Sequence, residues 1–128
     1  MIILDASAVL ALLQDETGAD EVEVAIEQGA VISAVNLSEV LTKVVDAGTS
    51  ADDAADLIVS LFVEIVPFGL GSARDSARIR TDAPDTGLSF GDRACLSLAR
   101  VEGAAAITAD QAWLESAGTL GIDVRSIR

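Results

Sequence analysis

The chain has 128 residues, of which 51% are hydrophobic, and its 21 acidic and 8 basic residues give a formal net charge of −13. This composition predicts one globular domain, spanning residues 1–128, with a substantial buried core. The absence of histidine and the single cysteine exclude Ser-His and Cys-His catalysis, histidine-bound metals and thiolate zinc clusters, so any catalytic chemistry falls to carboxylates.

The start of the chain and its lone cysteine bear on where in the cell the protein is located. No apolar run approaches the roughly 18 residues that a membrane span needs, and Asp5 interrupts the apolar opening, which argues against a secretory signal. Cys95 has no partner for an internal disulfide, as is usual in a reducing environment. We therefore expect a cytoplasmic protein without a membrane partner.

Strand-like and helix-like patterns alternate along the chain. The strand-like segments cover residues 2–4, 30–32, 63–66, 105–107 and 122–124. Helical periodicity marks residues 21–27, 35–47, 51–61, 72–80 and 89–101, and a further helix carries Ala112 and Trp113. This order predicts an α/β fold with a central parallel sheet of about five strands and helices on both faces.

Four carboxylates fall at what should be one edge of that sheet. Asp5 ends the first strand, and Glu39 lies in the first two turns of the helix after the second strand. Asp92 opens the helix at 89–101, and Asp110 follows the strand at 105–107. Carboxyl ends of parallel strands and the N-termini of the helices that follow them share an edge, so we expect these acids to converge.

The neighbours of Asp92 indicate which way its side chain points. Cys95 and Leu96, three and four residues later, are apolar, whereas the solvent-facing side of the helix is predicted to carry Arg93, Ser97 and Arg100. Asp92 should therefore lie on the packed side of its helix, where a charge is costly without a partner.

Each acid also has a purely structural explanation. The candidate helix caps are Asp5 or Ser7, Thr108 or Asp110, Asn36 with Glu39, and Ser89 with Asp92. Glu39 could instead pair with Lys43, one turn later on an exposed helix face. Taken one at a time, each acid is therefore explained more simply as a cap, or in the case of Glu39 as half of a surface pair, than as a ligand.

If the four carboxylates do converge, their mutual repulsion must be neutralised by cations. Ligand sets made only of oxygen suit Mg²⁺ or Mn²⁺. A site of this kind can activate water for attack on phosphorus without any side-chain nucleophile. Asp5 would then be tolerated at a strand end because it faces a metal rather than the core.

Five segments carry a family resemblance over essentially the whole chain. In order they are MIILDASA, ISAVNLSEVL, VPF at Val66 to Phe68, LSFGDRACLSLA and ITADQAW. With them the sequence resembles PIN-domain ribonucleases, and specifically the VapC toxins of prokaryotic toxin–antitoxin modules. The resemblance implies a PIN-like fold and Mg²⁺- or Mn²⁺-dependent endoribonuclease activity.

The same resemblance assigns roles to individual residues. The matching acids Asp5, Glu39, Asp92 and Asp110 would ligate one or two divalent metals and carry catalysis, with Ser7 and Thr108 supporting them. It also implies a tRNA or rRNA substrate and a cognate VapB-type antitoxin. It does not indicate which RNA is cut.

Further partner surfaces are suggested by charge and apolar content. The arginines at 74, 78, 80, 93 and 100 cluster in sequence; they either solvate helix faces or contact RNA, for which Arg93 and Arg100 are the candidates. Apolar residues in the helices 35–47 and 51–61, such as Leu57, Ile58 and Leu61, favour a homodimer unless they only cover the sheet.

Two other functions compete with a nuclease. A phosphorylatable receiver domain also has a doubly wound sheet and an acidic Mg²⁺ site, but Pro67 follows Val66 where a receiver needs an aspartate, and the only lysine is Lys43, in a helix. A non-catalytic interaction module would use the acids only as caps.

Cys95 and Trp113 are predicted to be core residues.

Overall fold

The computed structural model describes residues 1–128. Along the chain, the first half contains β1 (Ile2–Leu4), α1 (Ala6–Leu13), α2 (Ala19–Glu27), β2 (Ala30–Ser33), α3 (Ala34–Asp46) and α4 (Ala51–Ser60). The second half contains β3 (Glu64–Val66), α5 (Leu70–Asp82), α6 (Phe90–Glu102), β4 (Ala105–Thr108), α7 (Trp113–Leu120) and β5 (Val124–Ser126). None of these helices is both long and apolar enough to span a membrane.

The sheet has five strands, all parallel, in the order β3-β2-β1-β4-β5. In the central strand, Leu4 is level with Ile32 of β2 on one side and Ile107 of β4 on the other. The predicted α/β fold, with helices on both faces, is confirmed. The chain leaves β1 toward β2 and later returns to its other side as β4, so the strand order reverses beside β1, where ligands bind in such folds.

Alternation along β1 divides the core into two layers. Leu4 packs on one face with apolar residues of α1, α2 and α3, including Val9, Val22 and Val40. Ile3 points to the opposite face and packs with Cys95, Leu96 and Trp113 of α6 and α7. Successive strand residues face opposite sides of a sheet, and because helices cover both sides here, Ile3 and Leu4 are both completely buried. The core positions predicted for Cys95 and Trp113 are confirmed.

Three sequence predictions need correction. The last strand was expected at 122–124 but lies at Val124–Ser126, because Ile122 is a core residue of the turn that leaves α7. Helix α1 was not predicted as an element; Asp5 begins it by accepting from the amide of Ala8. Ser97 was expected in solvent but is buried, because α5 packs along that side of α6.

Candidate functional site

One cavity at the carboxyl edge of the sheet collects the four predicted acids. It encloses about 200 Å³ and is lined by Asp5, Ala6, Ser7, Leu10, Asn36, Glu39, Lys43, Asp92, Asp110 and Trp113. These residues come from the ends of β1 and β4 and from α1, α3, α6 and α7. The cavity therefore lies where the strand order reverses, as expected for a binding site in a parallel sheet.

Asp5 is the most buried of the four acids, with 3% of its surface exposed. It is the N-cap of α1, since its Oδ1 accepts from the amide of Ala8 at 2.8 Å. Thr108 Oγ1 donates to Oδ2 at 2.6 Å, and the single hydroxyl hydrogen of Ser7 is shared between the two carboxylate oxygens, 2.7 and 2.8 Å away. The carboxylate is thus held in one orientation.

The two hydroxyls also fix the loop that follows β4. Ser7 Oγ accepts from the amide of Ala109 and Thr108 Oγ1 accepts from the amide of Asp110, both at 2.9 Å. Each hydroxyl therefore receives a backbone hydrogen and gives its own hydrogen to Asp5. Ser7 and Thr108 connect Asp5 to the segment that carries Asp110.

Burial raises the pKa of Asp5 from 3.8 to about 6. Removal from water is the largest cause, and the nearby charge of Asp92 acts in the same direction. The hydrogen bonds from Thr108, Ala8 and Ser7 act in the opposite direction, because they favour the ionised form. An ionised Asp5 is therefore costly in the protein alone and would be stabilised by a cation nearby.

Glu39 reaches the cavity across a glycine. Its Oε1 accepts from Asn36 Nδ2 at 2.8 Å, and the same Nδ2 donates to the carbonyl of Gly91 at 2.9 Å, which connects α3 to the first turn of α6. A Cβ on Gly91 would lie 2.5 Å from Glu39 Cδ and Oε2. The carboxylate thus occupies space that any other residue at 91 would fill.

Sequence reasoning missed the roles of Asn36 and Gly91. Asn36 was considered only as a cap, but the N-cap of α3 is Ser33. Its side chain is almost fully buried, and its Oδ1 has no hydrogen-bond partner. The only sequence signal was a glycine in the first turn of a helix, next to Asp92.

Asp92 forms the predicted capping box with Ser89. Its Oδ2 accepts from the amide of Ser89 at 2.9 Å, and Ser89 Oγ accepts from the amide of Asp92 at 3.1 Å. Asp92 is half-buried above Cys95, which is completely buried. Burial, together with the charges of Asp5, Asp92 and Glu39, raises the pKa of the Cys95 thiol. The charges of Asp5, Asp92 and Glu39 therefore all act on the Cys95 thiol, which lies beneath the cavity.

Capping and a role in the cavity are compatible, because a carboxylate has two oxygens. In Glu39, Asp92 and Asp110 one oxygen accepts a bond within the protein, from Asn36 Nδ2, the amide of Ser89 and the amide of Ala112 respectively. The other oxygen of each has no hydrogen-bond donor within the chain. These three oxygens remain available to a ligand or to water.

None of the four acids forms an ion pair, since every salt bridge in the protein involves other residues. Lys43 lines the cavity, but the proposed Glu39–Lys43 pair does not form, because Glu39 turns toward Asn36. Four unneutralised carboxylates around one cavity are an arrangement that an external cation would stabilise.

The donor set fits a hard divalent cation that retains part of its water shell. All the acidic ligands are oxygens, and the buried Oδ1 of Asn36 adds an unpartnered oxygen beside Glu39. No three acidic side chains are close enough to form a complete ligand cluster by themselves. Mg²⁺ commonly keeps several waters between itself and carboxylates, so the cavity offers room for an ion together with its waters.

The two arginines predicted to contact RNA lie far apart on α6. Arg93 is in the first turn of the helix, next to Asp92. Arg100 is in the last turn, where it pairs with Asp82 at 2.9 Å and lines a different cavity with Met1 and Arg125. Seven residues of helix separate them by about 10 Å along the axis. Only Arg93 is placed beside the acidic cavity.

Comparison with solved structures shows the same fold in proteins from three bacteria. VapBC2 of Rickettsia felis, bound to a DNA fragment from its promoter, has a TM-score of 0.75 at 19% identity, covering 98% of this chain and 98% of that chain. FitAcB of Neisseria gonorrhoeae has a TM-score of 0.72 at 21% identity, covering 99% and 98%. VapC20 of Mycobacterium tuberculosis, a toxin that cleaves the sarcin-ricin loop, has a TM-score of 0.69 at 18% identity, covering 87% and 91%.

Sequence comparison assigns the family. No curated protein matches the chain. The model of the PIN domain, however, matches residues 2–118, which include every acid of the cavity. Because this match extends over nearly the whole sequence, the chain belongs to the PIN-domain family.

Proposed function

We propose that residues 1–128 form one PIN domain that hydrolyses RNA as a metal-dependent endoribonuclease, the toxin of a type II toxin–antitoxin pair in the cytoplasm. The observation that carries this proposal is the cavity lined by Asp5, Glu39, Asp92 and Asp110, in which no carboxylate has a cationic partner in the chain. Membership of the PIN-domain family and the fold shared with VapC20 support the same reaction.

Asp5, Glu39, Asp92 and Asp110 would hold Mg²⁺ or Mn²⁺. When bound, such an ion supplies positive charge that acidifies water and stabilises the charge developing on the phosphate. Ser7 and Thr108 keep the Asp5 carboxylate from rotating, through the bonds described above. Asn36 holds Glu39 Oε1, which leaves Oε2 free to face the ion, either directly or through a bound water.

The same comparison supports a proposal for the substrate class. VapC20 cleaves the sarcin-ricin loop, and we propose a structured tRNA or rRNA as the target of this chain. The chain has no tyrosine and only 3% aromatic residues, so selection by RNA shape and phosphate contacts is favoured over extensive base stacking.

We also propose an antitoxin partner of the VapB type and a homodimer. VapBC2 and FitAcB are complexes that contain a chain with the same fold as this protein. Of the apolar residues predicted for these contacts, Ile58 is buried in the core and Leu57 is exposed. The exposed apolar surface at the end of α4 consists of Leu57 with Val59 and Phe62. Co-expression with the product of an adjacent short reading frame tests both claims: co-purification with loss of nuclease activity supports the antitoxin, and a monomer at micromolar concentration removes the dimer.

The test of the proposed reaction is cleavage of total cellular RNA. Cleavage should require Mg²⁺ or Mn²⁺, stop with EDTA and be lost in Asp92→Asn, while Arg125→Gln, far from the cavity, should cleave at the wild-type rate. Activity in EDTA would refute the metal requirement. An Asp92→Asn variant with more than about a tenth of wild-type activity, a loss below roughly 1.4 kcal/mol, would remove Asp92 from the reacting centre.

The competing functions make different predictions. In a receiver-like sheet the first strand lies between the second and third, whereas here β1 lies between β2 and β4, which argues against that fold. A receiver would gain mass with acetyl phosphate and Mg²⁺, and we expect no gain. A metal-free interaction module would show no Mn²⁺ binding in calorimetry, where we expect binding.

A further inference from the structure

The protein leaves only three of its eight basic side chains without an ion pair. The paired ones are Arg74 and Arg78 with Asp75, Arg100 with Asp82, Arg125 with Asp123, and Arg128 with Glu16. The remaining three are Lys43, Arg80 and Arg93. In a chain with 21 acidic residues, cations that remain free are available for an external anion.

Arg80 and Arg93 line the same cavity. It encloses about 410 Å³ between the end of α5, the loop before α6 and the first turn of α6. Most of the remaining lining comes from the loop residues Ala83 to Leu88, including Asp85, the one acid in the lining. Asp85 forms an ion pair with neither arginine, so both guanidinium charges are uncompensated.

Arg93 is held in place although it has no ionic partner. Its guanidinium carbon lies 6.0 Å from the centre of the Phe90 ring, and Phe90 packs edge-on against Phe68 with ring centres 5.6 Å apart. The Nε of Arg93 is buried and has no hydrogen-bond partner. Holding the side chain in advance reduces the entropy lost when an anion binds, and a buried donor without a partner favours an acceptor.

The position of this cavity points to one kind of anion. Arg93 follows Asp92 directly, so the first turn of α6 supplies neighbouring residues to the basic cavity and to the acidic one. We propose that Arg80 and Arg93 bind a phosphate of the RNA strand next to the phosphate that is cleaved. This proposal rests on the ribonuclease function proposed above. Guanidinium groups recognise phosphate oxygens through paired hydrogen bonds, and two of them suit a singly charged phosphodiester.

RNA binding tests the proposal independently of cleavage. All variants carry Asp92→Asn, so that RNA stays intact, and affinity for a single-stranded RNA oligonucleotide is measured by fluorescence anisotropy across a salt series. We expect Arg80→Gln and Arg93→Gln each to weaken binding roughly tenfold at low salt. Because both arginines contact one phosphate, replacing both with glutamine should flatten the slope of log K against log salt by about 0.7, and each single replacement should flatten it by less.

Arg125→Gln is the matched control, because it removes the same charge from an arginine paired with Asp123 at 3.3 Å outside the cavity. It should leave affinity and slope nearly unchanged. The double variant Arg80→Lys and Arg93→Lys should keep most of the salt slope, because it keeps both charges. Thermal unfolding of each variant verifies that it is folded.

Three results would overturn the proposal. The first is a double glutamine variant whose salt slope equals that of Arg125→Gln. The second is a lysine variant that loses the slope as fully as the glutamine variant, which would indicate a structural role for the two arginines. The third is unchanged RNA binding together with lost binding of poly-glutamate, which would assign the cavity to an acidic protein segment. RNA binding that behaves as expected without cleavage by the wild type would refute the nuclease and leave the phosphate site standing.

Discussion

Replacement of Gly91 by alanine should damage the site more than the fold. The new Cβ would lie 2.5 Å from Glu39 Cδ and Oε2, whereas ordinary contact begins at 3.4 Å. The carboxylate must therefore retreat by about 1 Å. Because it is the end of a flexible side chain, it can do so, but it would give up its bond to Asn36 Nδ2.

The expected loss of stability is smaller than the expected loss of catalytic rate. A lost hydrogen bond to a charged acceptor costs roughly 1.5 to 3 kcal/mol, and replacing glycine by alanine inside a helix returns up to about 1 kcal/mol. We expect unfolding free energy to fall by roughly 1 to 2 kcal/mol. A displacement of about 1 Å in a catalytic group can cost about 100-fold in rate, so cleavage should fall far more than stability.

Gly118→Ala is the matched control for this substitution. Gly118 lies in α7 with nothing within 4 Å of the position its Cβ would occupy. RNA cleavage and thermal unfolding are measured on both variants, together with the Mn²⁺ concentration that gives half-maximal rate. If Gly91→Ala cleaves RNA within about threefold of the Gly118→Ala rate, the placement of Glu39 by Asn36 and Gly91 has no catalytic importance.

The remaining predictions concern single side chains of the cavity. Asp5 binds its proton more tightly in the folded protein, where its pKa is about 6, than at the ordinary value of 3.8, so unfolding free energy falls by roughly 3 kcal/mol as pH rises through that interval. In EDTA, Asp5→Asn should therefore be more stable than wild type at pH 7 by roughly 1 to 3 kcal/mol, as measured by urea unfolding; equal or lower stability would show that ionised Asp5 is not costly. Thr108→Val should raise the pKa of Asp5 further and move the acid limb of the pH–rate profile to higher pH, whereas an unmoved limb would show that Asp5 does not set it. Glu39→Gln should raise the Mn²⁺ concentration needed for half-maximal cleavage, and Lys43→Ala should leave unfolding free energy within about 0.5 kcal/mol of wild type. An unchanged Mn²⁺ requirement in Glu39→Gln together with a clear loss of stability in Lys43→Ala would favour the Glu39–Lys43 surface pair instead.

The sequence allowed the sheet and the convergence of the acids to be predicted, because both follow from local signals. Asp5 marks a strand end, and Ser89 with Asp92 marks a helix start, so their shared edge follows from the parallel topology. A residue pattern does not distinguish the two oxygens of a carboxylate, so it cannot show that one acid serves both as a cap and as a ligand. The structure separates the two oxygens of each carboxylate, of which only one serves as the cap in Asp92.

The errors arose where long-range packing decides the outcome. Ser97 reads as a surface residue until α5 is known to cover that side of α6. Arg100 shares a sequence cluster with Arg93, but its distance along the helix and its bond to Asp82 separate the two. The contact of Asn36 with the Gly91 carbonyl spans 55 positions in sequence, which no local pattern encodes.

The central claim is that Asp5, Glu39, Asp92 and Asp110 together hold a divalent cation. An anomalous difference map from a crystal soaked in Mn²⁺ tests it most directly. We predict a peak inside the cavity, within about 2.0 to 2.6 Å of at least one carboxylate oxygen and within reach of the others through water. The peak should weaken or disappear in Asp92→Asn. A map without a peak among the four acids, or one that Asp92→Asn leaves unchanged, would contradict the claim.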